Sequence, residues 1–202
     1  MTQYFDEQPA VTSDRQEVAV ALRDISYTMV TDRGVFSHGH LDTGTALLLR
    51  EAPTPAAGGA LLDLGCGTGA LALALALRSP AATVWAVDVN ERARRLTAAN
   101  AARNGIANIE VRSPDEVPDD VRFATIWSNP PIRIGKAALH ELLLRWLARL
   151  ADDGRAVLVV QKHLGADSLQ RWLIGEGYRC ERLTSRAGFR LLEVHREAPP
   201  AG

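Results

Sequence analysis

The sequence predicts an open α/β sandwich on a mostly parallel sheet, and three observations predict it. Between residues 60 and 175, short apolar runs alternate with longer helical ones, the pattern of linked βαβ units. The apolar run Ala60-Leu61-Leu62 leads straight into a glycine-rich turn, Asp63-Leu64-Gly65-Cys66-Gly67-Thr68-Gly69. The next strand ends in an acid, Val87-Asp88, at the edge where open parallel sheets hold their ligands.

Taken in order, residues 1–24 are polar and read as a weakly helical N-terminal arm. Ile25 to Phe36 alternates and breaks at Asp32-Arg33-Gly34, which predicts a short hairpin. Leu41 to Arg50 reads as a helix, and the Pro/Ala/Gly-rich stretch Pro53 to Gly59 as a linker. Strands are expected at 60–64, 83–87, 108–111, 123–127 and 155–160, and helices at 70–78, 91–103, 136–150 and 166–175. The run Ala70 to Leu77 has the period of a strand. It holds only strong helix formers, however, and directly follows a glycine turn, so a helix is expected. Tyr178 to Val194 reads as two strands about Ser185-Arg186-Ala187-Gly188, an antiparallel return closing the sheet edge. One domain over 25–197 is expected, with 198–202 a disordered tail.

Composition narrows the class. A chain of 202 residues suits one well-buried domain, and 47% apolar with 23% charged residues is ordinary for a soluble globular protein. The net charge of −1 makes no global case for a nucleic-acid partner. Cys66 and Cys180 are far apart and read as reduced thiols, so neither a disulfide nor a metal site is expected. No apolar run reaches bilayer length and the first residues lack a signal core, which predicts a cytoplasmic protein without a membrane partner.

The glycine turn alone also satisfies a dinucleotide pattern, since Gly65, Gly67 and Gly69 simply let a ligand approach the backbone. Asp88 sits where a carboxylate grips ribose hydroxyls, with Val89 and Asn90 beside it as further cofactor-binding candidates and Cys66 within the turn. Asp63, taken with the Asn-Pro-Pro turn downstream, tips the balance between cofactors. A carboxylate there repels a pyrophosphate but favours the ammonium or sulfonium of S-adenosylmethionine. Asp115 either meets an adenine amino group or is a solvated loop acid. Asn90 is either a helix cap or a ligand contact.

Downstream stands Asn129-Pro130-Pro131-Ile132. Two prolines fix φ and donate no hydrogen bond, so the Asn129 side chain and the following carbonyl can be held as two acceptors. Such a pair suits an exocyclic amine, which offers two N–H donors in one plane. No general base is needed if the proton leaves after transfer. His38, His40, His140, His163 and His195 are therefore read as solvent-facing or structural.

These residues carry a resemblance. Phe36-Ser37-x-x-x-Leu41-Asp42-x-Gly44-Thr45, Asp63-x-Gly65-x-Gly67-x-Gly69 and Asn129-Pro130-Pro131-Ile132-Arg133-x-Gly135-Lys136 together resemble the small-domain class I methyltransferases. That family includes the ribosomal RNA guanine-N2 methyltransferases. Gln161-Lys162-x-x-Gly165-Ala166-x-Ser168 is similar to its short single-domain members. The resemblance implies a Rossmann-like sandwich with a seven-stranded, mostly parallel sheet and an antiparallel C-terminal strand. It implies Asn129, Pro130 and Pro131 as the catalytic turn, and Ile132, Arg133, Lys136 and Lys162 toward substrate. It also implies that the stretch from Phe36 to Thr45 lies over the cofactor, with helix capping the competing role for Asp42 and Thr45. Ribosomal RNA or a ribosomal subunit is the expected partner. Two departures stand out: one copy of the domain rather than two, and Ile132-Arg133 where Phe and His are common. The alternatives are N-methylation of a protein or small molecule, as on a glutamine amide, and a non-catalytic adenosylmethionine-binding partner.

Overall fold

The computed structural model describes residues 12–197. The expected tail at 198–202 and the first eleven residues of the expected arm lie outside the described residues. A hairpin comes first, β1 (Gln16–Ala21) with β2 (Ser26–Thr31), paired antiparallel from Gln16↔Thr31 to Ala21↔Ser26. Helix α1 (Thr43–Glu51) follows. Then come β3 (Ala60–Leu64), α2 (Ala70–Arg78), β4 (Thr83–Val87), α3 (Glu91–Arg103), β5 (Ile109–Arg112) and β6 (Phe123–Ser128). The chain continues through α4 (Lys136–Leu147), β7 (Leu150–Gln161), α5 (Ala166–Gly175), β8 (Tyr178–Arg186) and β9 (Phe189–Arg196).

The seven-stranded sheet has the order β5-β4-β3-β6-β7-β9-β8, parallel except where β9 runs against both neighbours. The α/β alternation is as the periodicity predicts, and the Ala/Leu run is indeed helix α2. Its residues Ala70 to Ala76 are buried all round, which an apolar helix with no polar face requires. Strand alternation sorts the core into two layers. Leu61, Val84, Trp127, Val157 and Leu191 face α1 and α2, while Leu62, Val87, Ile126, Leu158 and Leu192 face α4 and α5.

Two expectations are corrected. The hairpin lies at 16–31, not 25–36, and residues 16–21 of the supposed weakly helical arm are strand. Leu22 N–H closes the true turn on Ile25 C=O at 2.9 Å, without glycine or proline. Asp32-Arg33-Gly34 does turn the chain, with Val35 N–H on Asp32 C=O, but sends it into an irregular loop rather than a second strand. The return strand β9 also does not close the sheet. It lodges between β7 and β8, and β8 takes the edge. The two strands are joined by Ala187 and Gly188, both at positive φ (51° and 79°), the paired left-handed residues of a tight hairpin turn.

Candidate active site

A cavity of about 760 Å³ opens at the C-terminal ends of β3, β4, β6 and β7, the edge where open parallel sheets bind ligands. The glycine turn forms its floor. Gly65 and Gly67 have φ of 77° and 54°, and an added Cβ at either would meet nothing within 4 Å, so the turn leaves room for a ligand against bare backbone. Gly69 does something else. It starts α2 at φ 86°, its Cβ position is 2.9 Å from Thr97 Cγ2, and it lies outside the cavity wall, so it serves helix packing.

Asp63 is 1% exposed. Its Oδ2 accepts the Ala72 N–H at 2.8 Å, while Oδ1 is buried without a partner among the described residues. Burial pushes its carboxyl up to about 8; the Ala72 bond opposes this and the nearby Asp88 charge adds to it. An unpartnered acidic oxygen in a cavity wall is a place for a cationic group. Asp88 is braced by two backbone donors, Gly67 N–H to Oδ2 and Asn90 N–H to Oδ1, each at 2.9 Å. Burial nonetheless raises its pKa, those bonds opposing. Each of its oxygens keeps a lone pair for a ligand hydroxyl. Cys66 lies in the wall with its thiol pushed up by burial, so it is an inert packing residue.

The acceptor side is built from elements distant in sequence. Asn129 Nδ2 donates to Asp42 Oδ2 at 2.8 Å and to Thr45 Oγ1 at 3.0 Å. Asp42 caps α1 through the same oxygen, which accepts the Thr45 N–H at 2.9 Å. The capping role is thus realised, together with a hold on the asparagine of the Asn-Pro-Pro turn. Pro130 C=O accepts the Ile132 N–H at 2.8 Å across Pro131, whose φ of −76° and ψ of 73° make an inverse γ-turn. The turn fixes that carbonyl and leaves one lone pair unused.

Of the residues singled out by sequence, Asp42, Thr45, Asp63, Gly65, Cys66, Gly67, Asp88, Val89, Asn90, Asn129, Pro130, Pro131, Ile132 and Arg133 share this wall. Asn90 is 1% exposed; its Oδ1 caps α3 through Ala93 N–H and its Nδ2 holds Gly34 C=O. Of the two readings open for Asp115, the structure takes the solvated loop acid. A capping box between Ser113 and Glu116 turns the chain so that Asp115 points outward to Arg145 at 2.9 Å, and Pro114 takes the inward place. Lys136 and Lys162 are exposed and outside the wall, because Lys136 starts α4 and Lys162 is tied by its own N–H to Gly188 C=O. Sequence reasoning missed Gln161 and Phe189, paired partners at the ends of β7 and β9, and the apolar slot of Leu142 and Trp146 on α4. It also set aside His38 and His40, which line the cavity; His38 is held by Asp14 C=O at 2.6 Å. Periodicity flags such residues only as core or loop.

A second, more open groove of about 810 Å³ runs between the β1–β2 hairpin and α3. Its charges answer one another, as in Arg103–Glu17 and Arg95–Glu91, and among the described residues it holds no buried unpartnered group. Among the described residues no cluster of His, Cys, Asp or Glu is placed to hold a metal, and no helix is long and apolar enough to cross a membrane.

A sheet with one antiparallel strand lodged beside the parallel set, and a glycine floor under a fixed Asn-Pro-Pro, is the architecture of a class I methyltransferase. The chain belongs to the methyltransferase small domain family, whose profile matches residues 26–193. It is 38% identical over 168 residues to the Bacillus subtilis uncharacterized protein YbxB, covering 82% of this chain and 84% of that protein. It is 35% identical over 194 residues to the ribosomal RNA small subunit methyltransferase C of Pseudomonas aeruginosa; this covers 94% of this chain but only 57% of that protein. Among solved structures, the T. thermophilus 16S rRNA N2 G1207 methyltransferase in complex with AdoMet and guanosine superposes with a TM-score of 0.74 at 24% identity, covering 94% of this chain and 52% of that one.

Proposed function

We propose that this methyltransferase moves a methyl group from S-adenosylmethionine onto the exocyclic amine of a guanine in ribosomal RNA. The observation that carries the reading is the Asn129 amide, tied down by its nitrogen so that its oxygen is left for a donor. Asp63 Oδ1 fits the ammonium of the methyl donor and the Asp88 carboxylate fits its ribose. Bound there, S-adenosylmethionine supplies an electrophilic methyl group. Asn129 Oδ1 and Pro130 C=O accept the two N–H bonds of the acceptor amine, align its lone pair and stabilise the positive charge that grows on nitrogen. Alignment and charge stabilisation suffice, and no side chain has to remove the proton beforehand. Ile132 and Phe189 offer apolar surface to a base swung out of its stack, and Arg133 stands exposed beside them. The names of the Pseudomonas relatives and of the T. thermophilus neighbour support RNA and guanine over a protein amide.

The test is incubation with labelled methyl donor and ribosomal subunits from a strain lacking the gene, followed by digestion to nucleosides. Label is expected in N2-methylguanosine. Label in N6-methyladenosine keeps the amine chemistry and refutes the base; label only in protein refutes the RNA substrate. Asn129→Ala is expected to abolish turnover with little change in cofactor affinity.

A further inference from the structure

A primary amide has two unlike ends, a nitrogen that donates twice and an oxygen that only accepts. Which end of Asn129 faces the reacting amine decides whether the turn attracts or repels it. We infer that Asp42, with Thr45 as the second partner of the amide nitrogen, is a positioning residue that locks the Asn129 amide with its oxygen toward the acceptor, restricting the site to nucleophiles that carry N–H groups. The identity of the acceptor rests on the proposed function; the lock does not.

Both Nδ2 protons are committed, one to Asp42 Oδ2 at 2.8 Å and one to Thr45 Oγ1 at 3.0 Å. Reversing the amide would set its oxygen against the Asp42 carboxylate oxygen, lone pair to lone pair, whereas the Thr45 hydroxyl, which donates as well as accepts, holds the amide in place without choosing its direction. The lock is itself pinned. Asp42 Oδ2 also takes the Thr45 N–H, and α1 is anchored by buried Leu47, Leu48 and Leu49. Gly44 completes the fit, because a Cβ there would lie 2.8 Å from the Phe189 ring and 3.1 Å from Asp42 Oδ2. Asp42 has a second effect beyond orientation. A carboxylate behind the amide nitrogen draws density toward Oδ1, strengthening its acceptance as the amine becomes cationic. A freely turning amide would present N–H groups half the time and would serve a ring nitrogen or a carbonyl as readily.

Asp42→Ser keeps a helix cap, but its hydroxyl both donates and accepts and cannot dictate orientation. Thr45→Val keeps the shape and removes the oxygen. In the double variant kcat is expected to fall about 10–100-fold, as when residues that orient a reactive group are removed, with KM for S-adenosylmethionine and Tm near wild type. Asp42→Asn, which can still accept through Oδ1, should recover much of that loss. A raised KM for the cofactor with full kcat at saturation would instead make these residues cofactor ligands and overturn the lock. A readout without turnover is exchange of the Asn129 side-chain NH₂ in nitrogen-15 spectra, assigned by its disappearance in Asn129→Ala. Slow exchange is expected in wild type and fast exchange in the double variant; exchange already as fast as an exposed amide in wild type overturns the inference. If wild type methylates no ribosomal amine, the proposed function falls and exchange still decides the lock. If wild type turns over and the double variant matches its kcat, the lock falls and the function stands.

Discussion

Asp63 is buried, with one oxygen bonded and the other without a partner among the described residues, and burial governs its titration. With its folded pKa raised from 3.8 to about 8, the native protein holds a proton that the unfolded chain gives up near pH 4. The ligand-free protein therefore loses stability as pH rises from about 4 through about 8. Asp63→Asn should remove this slope and, at about pH 9, stabilise the ligand-free protein by on the order of a few kcal/mol, seen as a higher Tm. A cationic ligand group reverses the balance by favouring the carboxylate. Below about pH 8, binding of S-adenosylhomocysteine should expel a proton, so affinity rises with pH and then levels. Calorimetry in buffers of different ionisation heat would show the released proton, and Asp63→Asn should abolish it. Affinity flat across that range would remove Asp63 from the ammonium site. Asp63 and Asp88 were legible because their setting is local, a strand end beside a glycine turn. The partners of Asn129 were not, since Asp42 lies 87 positions away and folding alone joins them. For Asp115 the sequence leaves two readings open, and the choice between them rests on contacts it does not show, such as the pair with Arg145, 30 positions on.

Asn100 on α3 and Asn104 at its C-cap, one turn apart, stand in for a missing strand along β2. Asn100 accepts from Val30 N–H and donates to Val30 C=O, and Asn104 does the same for Thr28. The amide plane copies a peptide unit, so the free edge of the hairpin is satisfied by side chains. Asn100→Ala or Asn104→Ala should each cost about 1–3 kcal/mol, the penalty for stranding partly buried backbone groups. Hydrogen exchange at Thr28 and Val30 should quicken, with the sheet amides unchanged; equal loss of protection everywhere would deny the hairpin this separate anchor. Asn104 also ends α3 as its C-cap, beside Gly105 at φ 66°. The hairpin is misplaced by sequence because Asp32-Arg33-Gly34 is the stronger turn signal, while Glu17 to Val20 alternates inside a polar stretch. From β3 to α5 the elements are legible because burial follows period there, except in α2, where helix-forming residues and the preceding glycine turn decide against a strand-like period.

For the whole molecule, a net charge of −1 conceals how cations are spent. Of the Arg and Lys residues near the site's rim, Arg186 is paired with Glu51, and Arg190 is buried against Asp167. Arg133, Lys136 and Lys162 are exposed, with no ion pair among the described residues. On the proposed function, replacing those three by Gln should make RNA affinity less sensitive to salt. The log–log slope should flatten by about 0.7 for each phosphate no longer neutralised, and Arg186→Gln should leave it unchanged. An unchanged slope in the triple variant would place the RNA path elsewhere.

The position of β9 has a bearing on how the chain is made. Strand β8 is translated before β9, yet β9 is its only neighbour in the sheet among the described residues, and β9 is also what covers the outer edge of β7. While β9 is still being synthesised, β7 shows a bare edge along its apolar stretch from Ala156 to Val160, and β8 has nothing to pair with. Such an edge invites other nascent strands. The Ala187-Gly188 reversal then acts as a latch, folding the late strand back by the shortest loop into the slot awaiting it.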